Sequence, residues 1–166
     1  GINLIKCYKN YKFLLKKIKL SKKNIYFLEN SLVLVFSNIK RYSSKIIKSQ
    51  KKEKINHYKI VKKEVDEIIN IIKAESKKKL GNVFNEHWRR KMNLSNEMTN
   101  TKINNVYKKI MKNKYIHGGK LIGAGGGGFF LFVVKDKKKV NKYLKKINLD
   151  FREIQIDKDG SKTIIF

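Results

Sequence analysis

Five glycines fall within the six positions Gly123-Ala124-Gly125-Gly126-Gly127-Gly128, inside a longer stretch from Gly118 to Phe130. Residues without a Cβ reach positive φ at little steric cost and let backbone N–H groups close on an anion. This is the place in the chain where residue type and spacing point to phosphate chemistry. Gly123, Gly125 and Gly128 formally satisfy Gly-x-Gly-x-x-Gly, but a dinucleotide-binding turn needs a strand before the glycines and a helix after them. Ahead of the run, Ile103, Val106, Tyr107, Ile110 and Met111 recur at helical spacing. Behind it, Phe129 to Val134 is a short apolar, aromatic and β-branched segment of strand character. The expected order is therefore helix, loop, strand, the reverse of a dinucleotide site. A Walker loop is excluded as well, because no Gly-Lys-Ser/Thr closes the run and Lys120 precedes it. A tight turn needs one or two glycines, and this run exceeds that. Gly123 to Gly128 are expected to support a phosphate, with Lys120 either adding a positive charge at the mouth or pointing outward.

Other chemistry is sparse. Cys7 is the single cysteine, so no internal disulfide can form, and its place on an apparent strand makes it a small core residue. A reducing, cytoplasmic setting is consistent with that. His57, His87 and His117 lack His or Cys partners at ligand spacing, which argues against a zinc site. His117 is expected in a turn, with approach to a phosphate ahead of the glycine run as the other reading, and Glu86 and His87 are expected to orient a helix whose Phe84 and Trp88 face the core. No apolar run reaches the roughly 18 residues needed to span a bilayer.

The elements that must position the glycine run follow from periodicity. Strands are expected near Ile2 to Tyr8, Tyr11 to Ile18 and Leu32 to Phe36. Tyr58, Val61, Val65, Ile68 and Ile72 make one helical stripe, and Phe84, Trp88 and Met92 make another. After the strand Phe129 to Val134 comes a helix with Val140, Tyr143, Leu144 and Ile147. Two final strands, Arg152 to Ile156 and Thr163 to Phe166, are joined by the turn Asp157-Lys-Asp-Gly160. The pattern is α+β, and 166 residues suit a single core.

The formal charge is +28, and all but four of the 41 basic residues are Lys, the exceptions being Arg41, Arg89, Arg90 and Arg152. Phosphate forks and bidentate base contacts favour Arg, and here Lys is spread over every segment. The pattern fits a solvated surface and the Lys, Ile and Asn enrichment of AT-rich coding, with no specific nucleic-acid partner and no membrane. Salt-sensitive attraction to polyanions is expected.

The stretch Gly118-Gly-Lys-Leu-Ile-Gly-Ala-Gly-Gly-Gly-Gly-Phe-Phe-Leu-Phe132 resembles the third motif of the GHMP kinases, most of all in their D-glycero-D-manno-heptose 7-phosphate kinase branch. Leu32-Val-Leu-Val-Phe-Ser-Asn-Ile-Lys-Arg-Tyr-Ser-Ser44 is similar to that branch's strand and turn. Asn85-Glu-His-Trp88 with Leu94-Ser95 is similar to its Glu-His-Trp helix. Gly1 to Lys6 is similar to the strand after the family's Gln-Asp-Gln-Tyr segment. The resemblance implies a ferredoxin-like C-terminal domain, an antiparallel sheet with helices packed on one face. It implies that residues 1–30 end the N-terminal kinase domain and connect it to a C-terminal domain over 31–166. The ATP-binding motif and the catalytic acid would then lie in an N-terminal domain outside these residues, leaving no catalytic residue here and making the chain a C-terminal fragment, inactive alone. ATP and Mg²⁺ would be the cofactors, a sugar phosphate the substrate, and the N-terminal domain of the same enzyme the partner. Arg41, with Ser43, would bind the sugar phosphate, with an exposed helix-start cation as the other reading of Arg41. Ser37-Asn38 replaces the usual Thr-Gly of that turn. Set against the kinase is a catalytically inert, polybasic binding or interaction domain associated with nucleic acid through charge.

Overall fold

The structure is a computed structural model in which residues 1–8, 10–40, 55–160 and 163 are described, without the side chains of 55–58. The chain opens on an antiparallel pair, β1 (Asn3–Cys7) and β2 (Phe13–Lys17), with Asn3 opposite Lys17 and Cys7 opposite Phe13. Both strands were expected. Cys7 needs a correction: its side chain is exposed, because this two-stranded sheet has large apolar residues open to solvent on it. Ile5, Tyr8, Tyr11, Phe13, Leu14 and Leu15 are between 49% and 98% exposed.

Helix α1 (Lys22–Ser31) was not foreseen. Its buried apolar face is only Phe27 and Leu28, too little for periodicity to show. The signal present was a cap: Ser21 Oγ accepts from the Asn24 N–H at 3.1 Å, and Asn24 Oδ1 accepts from the Ser21 N–H at 3.3 Å. Helix α1 runs directly into β3 (Leu32–Phe36). Then come α2 (Ile55–Lys73), α3 (Lys77–Met92), a 3₁₀ turn at Asn96–Met98 and α4 (Thr101–Met111). Strands β4 (Ile116–Leu121) and β5 (Phe129–Val134), helix α5 (Lys137–Lys146) and strand β6 (Phe151–Glu153) complete the described elements.

The larger sheet has the order β4-β5-β3-β6 and every pairing is antiparallel, with Leu32 opposite Val133 and Gly119 opposite Phe132. Alternation sends Phe130, Phe132, Val134, Val33 and Val35 to one face, where Ile103 and Ile110 of α4, Val140 and Leu144 of α5 and Trp88 of α3 bury them. Trp88 meets Phe130 edge-on, with ring centroids 6.3 Å apart. Leu32 and Val133 turn to the other face, against Phe27 and Leu28 of α1, Ile71 and Ile72 of α2 and Leu80 and Phe84 of α3. The α+β fold with an antiparallel sheet is as expected; the expected layer of helices is joined by a second one on the opposite face.

Two expectations are corrected. The glycine run does not follow a helix: β4 precedes it, so the order is strand, loop, strand. Strand β4 was missed because Gly118 and Gly119 sit at its centre, and glycine is depleted in strands. Packing demands both. A Cβ on Gly118 would stand 2.1 Å from the Gly81 carbonyl oxygen, and one on Gly119 would stand 2.3 Å from the Phe132 ring. The last described strand is Phe151–Glu153 in place of Arg152 to Ile156, since β6 pairs only with Val33–Val35 and Ile154 and Ile156 turn instead to the second core cluster. The expected strand from Thr163 lies outside the described residues beyond Thr163 itself.

Candidate functional site

The loop from Ile122 to Gly128 joins two neighbouring strands, yet it is no simple hairpin turn. Gly123, Gly125, Gly126, Gly127 and Gly128 all adopt positive φ, at 76°, 106°, 70°, 145° and 89°. At two of these positions space is also lacking: a Cβ would lie 2.2 Å from Met98 Sδ at Gly125 and 2.5 Å from the Ile39 carbonyl oxygen at Gly127. The loop is tied to two other elements. The Gly126 N–H donates to the Met98 carbonyl at 2.8 Å, and the Gly128 N–H donates to the Ile39 carbonyl at 2.9 Å. The Ser37 N–H returns a bond to the Gly128 carbonyl, also at 2.9 Å. Asn38 supplies the left-handed turn that its type tolerates, with φ 57°. One place thus gathers the glycine loop, the 3₁₀ turn and the turn that leaves β3.

Strand β4 is the edge of its sheet, and an edge carries backbone groups without a strand partner. Here side chains of α3 and α4 take the place of a strand. Asn85 Oδ1 accepts from the Gly119 N–H at 2.9 Å, and Asn85 Nδ2 donates to the His117 carbonyl at 3.4 Å. The Tyr107 hydroxyl lies 2.7 Å from Asn85 Oδ1 and 3.0 Å from the Gly119 carbonyl oxygen. Burial pushes the Tyr107 phenol up to about 12, against the hydrogen bond with Gly119, which acts the other way. It is a neutral donor at all ordinary pH. Further along, Lys91 Nζ donates to the Leu121 carbonyl at 3.5 Å and to the Gly123 carbonyl. The fit depends on Gly81 and Gly118, whose lack of side chains brings α3 against β4.

Two cations stand on the elements that carry the loop, Lys91 on α3 and Lys120 on β4, while the acidic Glu97 lies in the 3₁₀ turn beside Met98. Lys120 Nζ stands 4.5 Å over the Phe84 ring, and burial lowers its pKa. His87 Nδ1 is 3.0 Å from Glu64 Oε2. Burial, then the Lys120 and Lys91 charges, push His87 down to about 4. The Glu64 carboxylate would favour the imidazolium, but Arg90 already pairs with it. The His87–Glu64 contact is therefore a hydrogen bond from a neutral ring. Glu86 faces solvent and pairs with Arg89 at 2.8 Å. His117 belongs to β4 and to no turn, and its pKa is lowered by burial first and by Lys135, Lys77 and Lys78 next.

Among the described residues no group of three or more His, Cys, Asp or Glu could hold a metal ion, so nothing among them fits Mg²⁺, a hard cation that takes oxygen ligands. The loop's close-approach backbone, flanked by the Lys120 ammonium, suits phosphate oxygens, although the Gly126 and Gly128 N–H groups are engaged by the Met98 and Ile39 carbonyls. No described helix is long and apolar enough to cross a membrane.

The structure keeps Gly123 to Gly128 together as one loop and places Lys120 on the strand that enters it. Arg41 and Ser43 lie outside the described residues, two and four positions beyond the Ile39 carbonyl that holds Gly128. Asn85, Lys91, Met98 and Tyr107 were not foreseen as supports. Asn85 sat inside a quoted motif without an assigned role, Tyr107 read as part of an apolar stripe, and Lys91 had no signal in so lysine-rich a chain.

Residues 69–152 match the family model for the C-terminal region of GHMP kinases. The D-glycero-alpha-D-manno-heptose 7-phosphate kinase of Campylobacter jejuni subsp. jejuni serotype O:2 is 28% identical over 176 aligned residues, which cover 98% of this chain and 50% of that protein. The chain spans about half the length of this relative. A crystal structure of a protein from Campylobacter jejuni described as a sugar kinase superposes with a TM-score of 0.68 at 25% identity, over 96% of this chain and 46% of the other. The Methanococcus jannaschii mevalonate kinase shares the fold, with a TM-score of 0.64 at 22% identity over 89% of this chain and 46% of its own.

Proposed function

This chain belongs to the GHMP kinases, through their C-terminal domain, and from that premise we propose that it serves an ATP-dependent sugar kinase whose acceptor is D-glycero-D-manno-heptose 7-phosphate, in the synthesis of nucleotide-activated heptose. The relative from Campylobacter jejuni supports the choice of sugar. The observation that carries the reading is the loop: five positive-φ glycines held at fixed points by Met98 and Ile39. Phosphoryl transfer depends mainly on positioning and on stabilising dispersed negative charge. A preset wall without side chains suits that task, since phosphates can come close to it. The Gly126 and Gly128 N–H groups are engaged within the fold, so the loop acts as a supporting wall and not as a complete phosphate cradle. Lys120 adds positive potential on the entering strand. Mg²⁺, where the reaction uses it, would be held by the phosphates and by groups outside these residues.

Residues 1–30 are proposed to close the N-terminal, nucleotide-binding domain and join it to the C-terminal domain over 31–166. The bare apolar surface of β1 and β2 supports this, because contiguous exposed apolar patches mark interaction sites and an isolated two-stranded hairpin is marginal in water. Arg41 and Ser43 are proposed at the sugar phosphate, where a guanidinium fork matches phosphate geometry.

The test is transfer of the γ-phosphoryl group from ATP to the heptose 7-phosphate. The kinase with its nucleotide-binding domain should turn over, and the 166-residue chain alone should not. Folded two-domain protein that leaves the heptose untouched would remove the substrate assignment; turnover by the chain alone would remove the division of labour. In the active enzyme Arg41→Ala should raise KM for the sugar phosphate about tenfold to a hundredfold, the equivalent of ~1.4 to 2.7 kcal/mol of uniform binding, with KM for ATP little changed.

A further inference from the structure

Helix α3 does more than cover the edge of β4. Its contacts climb the strand in order: Gly81 against Gly118, Asn85 on His117 and Gly119, and Lys91 on Leu121 and Gly123. The first contacts complete the strand. The last passes beyond β4, which ends at Leu121, and takes hold of the first glycine of the loop. Gly123 has φ 76°, and the direction of its carbonyl fixes how the chain enters the five loop residues that follow.

We propose that Lys91 is a positioning residue for the glycine loop, clamping its entry as Met98 and Ile39 hold its middle and exit. An ammonium carries three donors and no acceptor, so one Nζ can hold the Leu121 and Gly123 carbonyls at once and keep the second turned toward α3. With the clamp in place the loop is tied at Gly123, Gly126 and Gly128, three points over six residues. Without it the entry keeps the Ile122 N–H bond to the Phe129 carbonyl at 2.9 Å but loses its hold on the Gly123 carbonyl, so that the chain can turn at Gly123 and the Gly126 and Gly128 bonds open more often. Lys91 is thereby set apart from the many surface lysines around it: its charge is directed at two named carbonyl oxygens. The clamp itself is independent of the kinase reading; its consequence for turnover rests on that reading.

The experiment compares Lys91→Met and Lys91→Arg with the parent chain by amide hydrogen exchange. In the 166-residue chain Lys91→Met should raise exchange at Gly126 and Gly128 tenfold or more, while Leu131 and Val133 in β5 keep their protection. Lys91→Arg, which can still donate to both carbonyls, should restore most of the loop protection. In the active kinase Lys91→Met should lower kcat at least tenfold with KM for ATP within twofold. Unchanged exchange at Gly126 and Gly128, or an equal rise in β5, would overturn the clamp. Faster loop exchange with unaltered kcat would leave the clamp standing and overturn the loop's role in turnover.

Discussion

Strand β4 and the β1–β2 hairpin both present strand edges without a strand neighbour, and the chain treats them in opposite ways. Along β4 the backbone groups at His117, Gly119, Leu121 and Gly123 meet Asn85, Tyr107 and Lys91. Along the hairpin, apolar side chains lie open, with Phe13 at 70% exposure and Tyr11 at 98%. Charged and polar residues, bulges or a covering helix are the usual ways to protect an edge. The first edge has its helix; the second has none among the described residues. The difference separates an edge that this chain closes with its own side chains, the wall behind the glycine loop, from a hairpin whose apolar side chains no described residue covers.

The comparison can be broken most severely at the contact between α3 and β4. Gly118→Val would drive a branched side chain into the Gly81 backbone, where 2.1 Å is available to a Cβ. Overpacking typically costs ~1 to 3 kcal/mol, and a backbone obstacle with no rotamer to yield puts this variant at the top of that range or beyond. A urea titration should show a much lower midpoint or no folded baseline. A midpoint like the parent's would mean that α3 does not sit on the strand.

Gly125→Ala acts on the loop alone. Positive φ at 106° and Met98 Sδ at 2.2 Å from the new Cβ predict ~1 to 3 kcal/mol of local strain, relieved in part because a methionine side chain can move. In the active kinase turnover should fall at least tenfold, while circular dichroism of the variant stays that of the parent.

Tyr107→Phe removes a rung without a clash. The Gly119 carbonyl and Asn85 lose a buried partner, at a cost of ~1 to 2 kcal/mol in denaturant. The deficit should depend on pH. The folded phenol titrates at about 12 and the free one at 10.0, so the neutral form is favoured by folding. That contribution is complete below pH 10.0 and disappears as pH rises toward about 12. The stability gap between parent and Tyr107→Phe should shrink over that interval, and a constant gap would place the hydroxyl in water.

The smallest effect belongs to the other edge. Phe13→Ser and Leu15→Ser should each change the stability of the 166-residue chain by no more than ~0.5 kcal/mol, as exposed substitutions do. In the two-domain kinase the same changes should cost ~1.5 to 3 kcal/mol each if the partner domain buries those side chains. Equal, small effects in both proteins would leave the hairpin bare in the whole enzyme.

What could be read from the sequence follows the physics of each element. Strand β5 and the stripes on α2, α3, α4 and α5 show themselves because burial repeats their apolar residues at fixed periods. Strand β4 does not, since its centre is Gly118-Gly119, chosen by the closeness of Gly81 and Phe132 and not by strand preference. The glycine loop announces itself through composition, and its five positive-φ residues explain why glycine recurs there. Its supports do not. Met98 contributes a backbone carbonyl, which any residue carries, and Lys91 is one lysine among dozens, distinguished only by where α3 points it. Cys7 misleads in the opposite sense, a small apolar residue on a strand that no described residue buries.

A strand closed by another strand tolerates most side-chain changes along the seam, because main-chain atoms make the rungs. The β4 seam is written in side chains, so it is inherited at the codons for Asn85, Tyr107 and Lys91, and one nucleotide change can erase a rung. All three amino acids are encoded by triplets that begin with two A or T bases. Lys and Asn, which crowd this protein, draw on the same kind of triplet, so the side chains that close the β4 seam are ones its composition supplies freely.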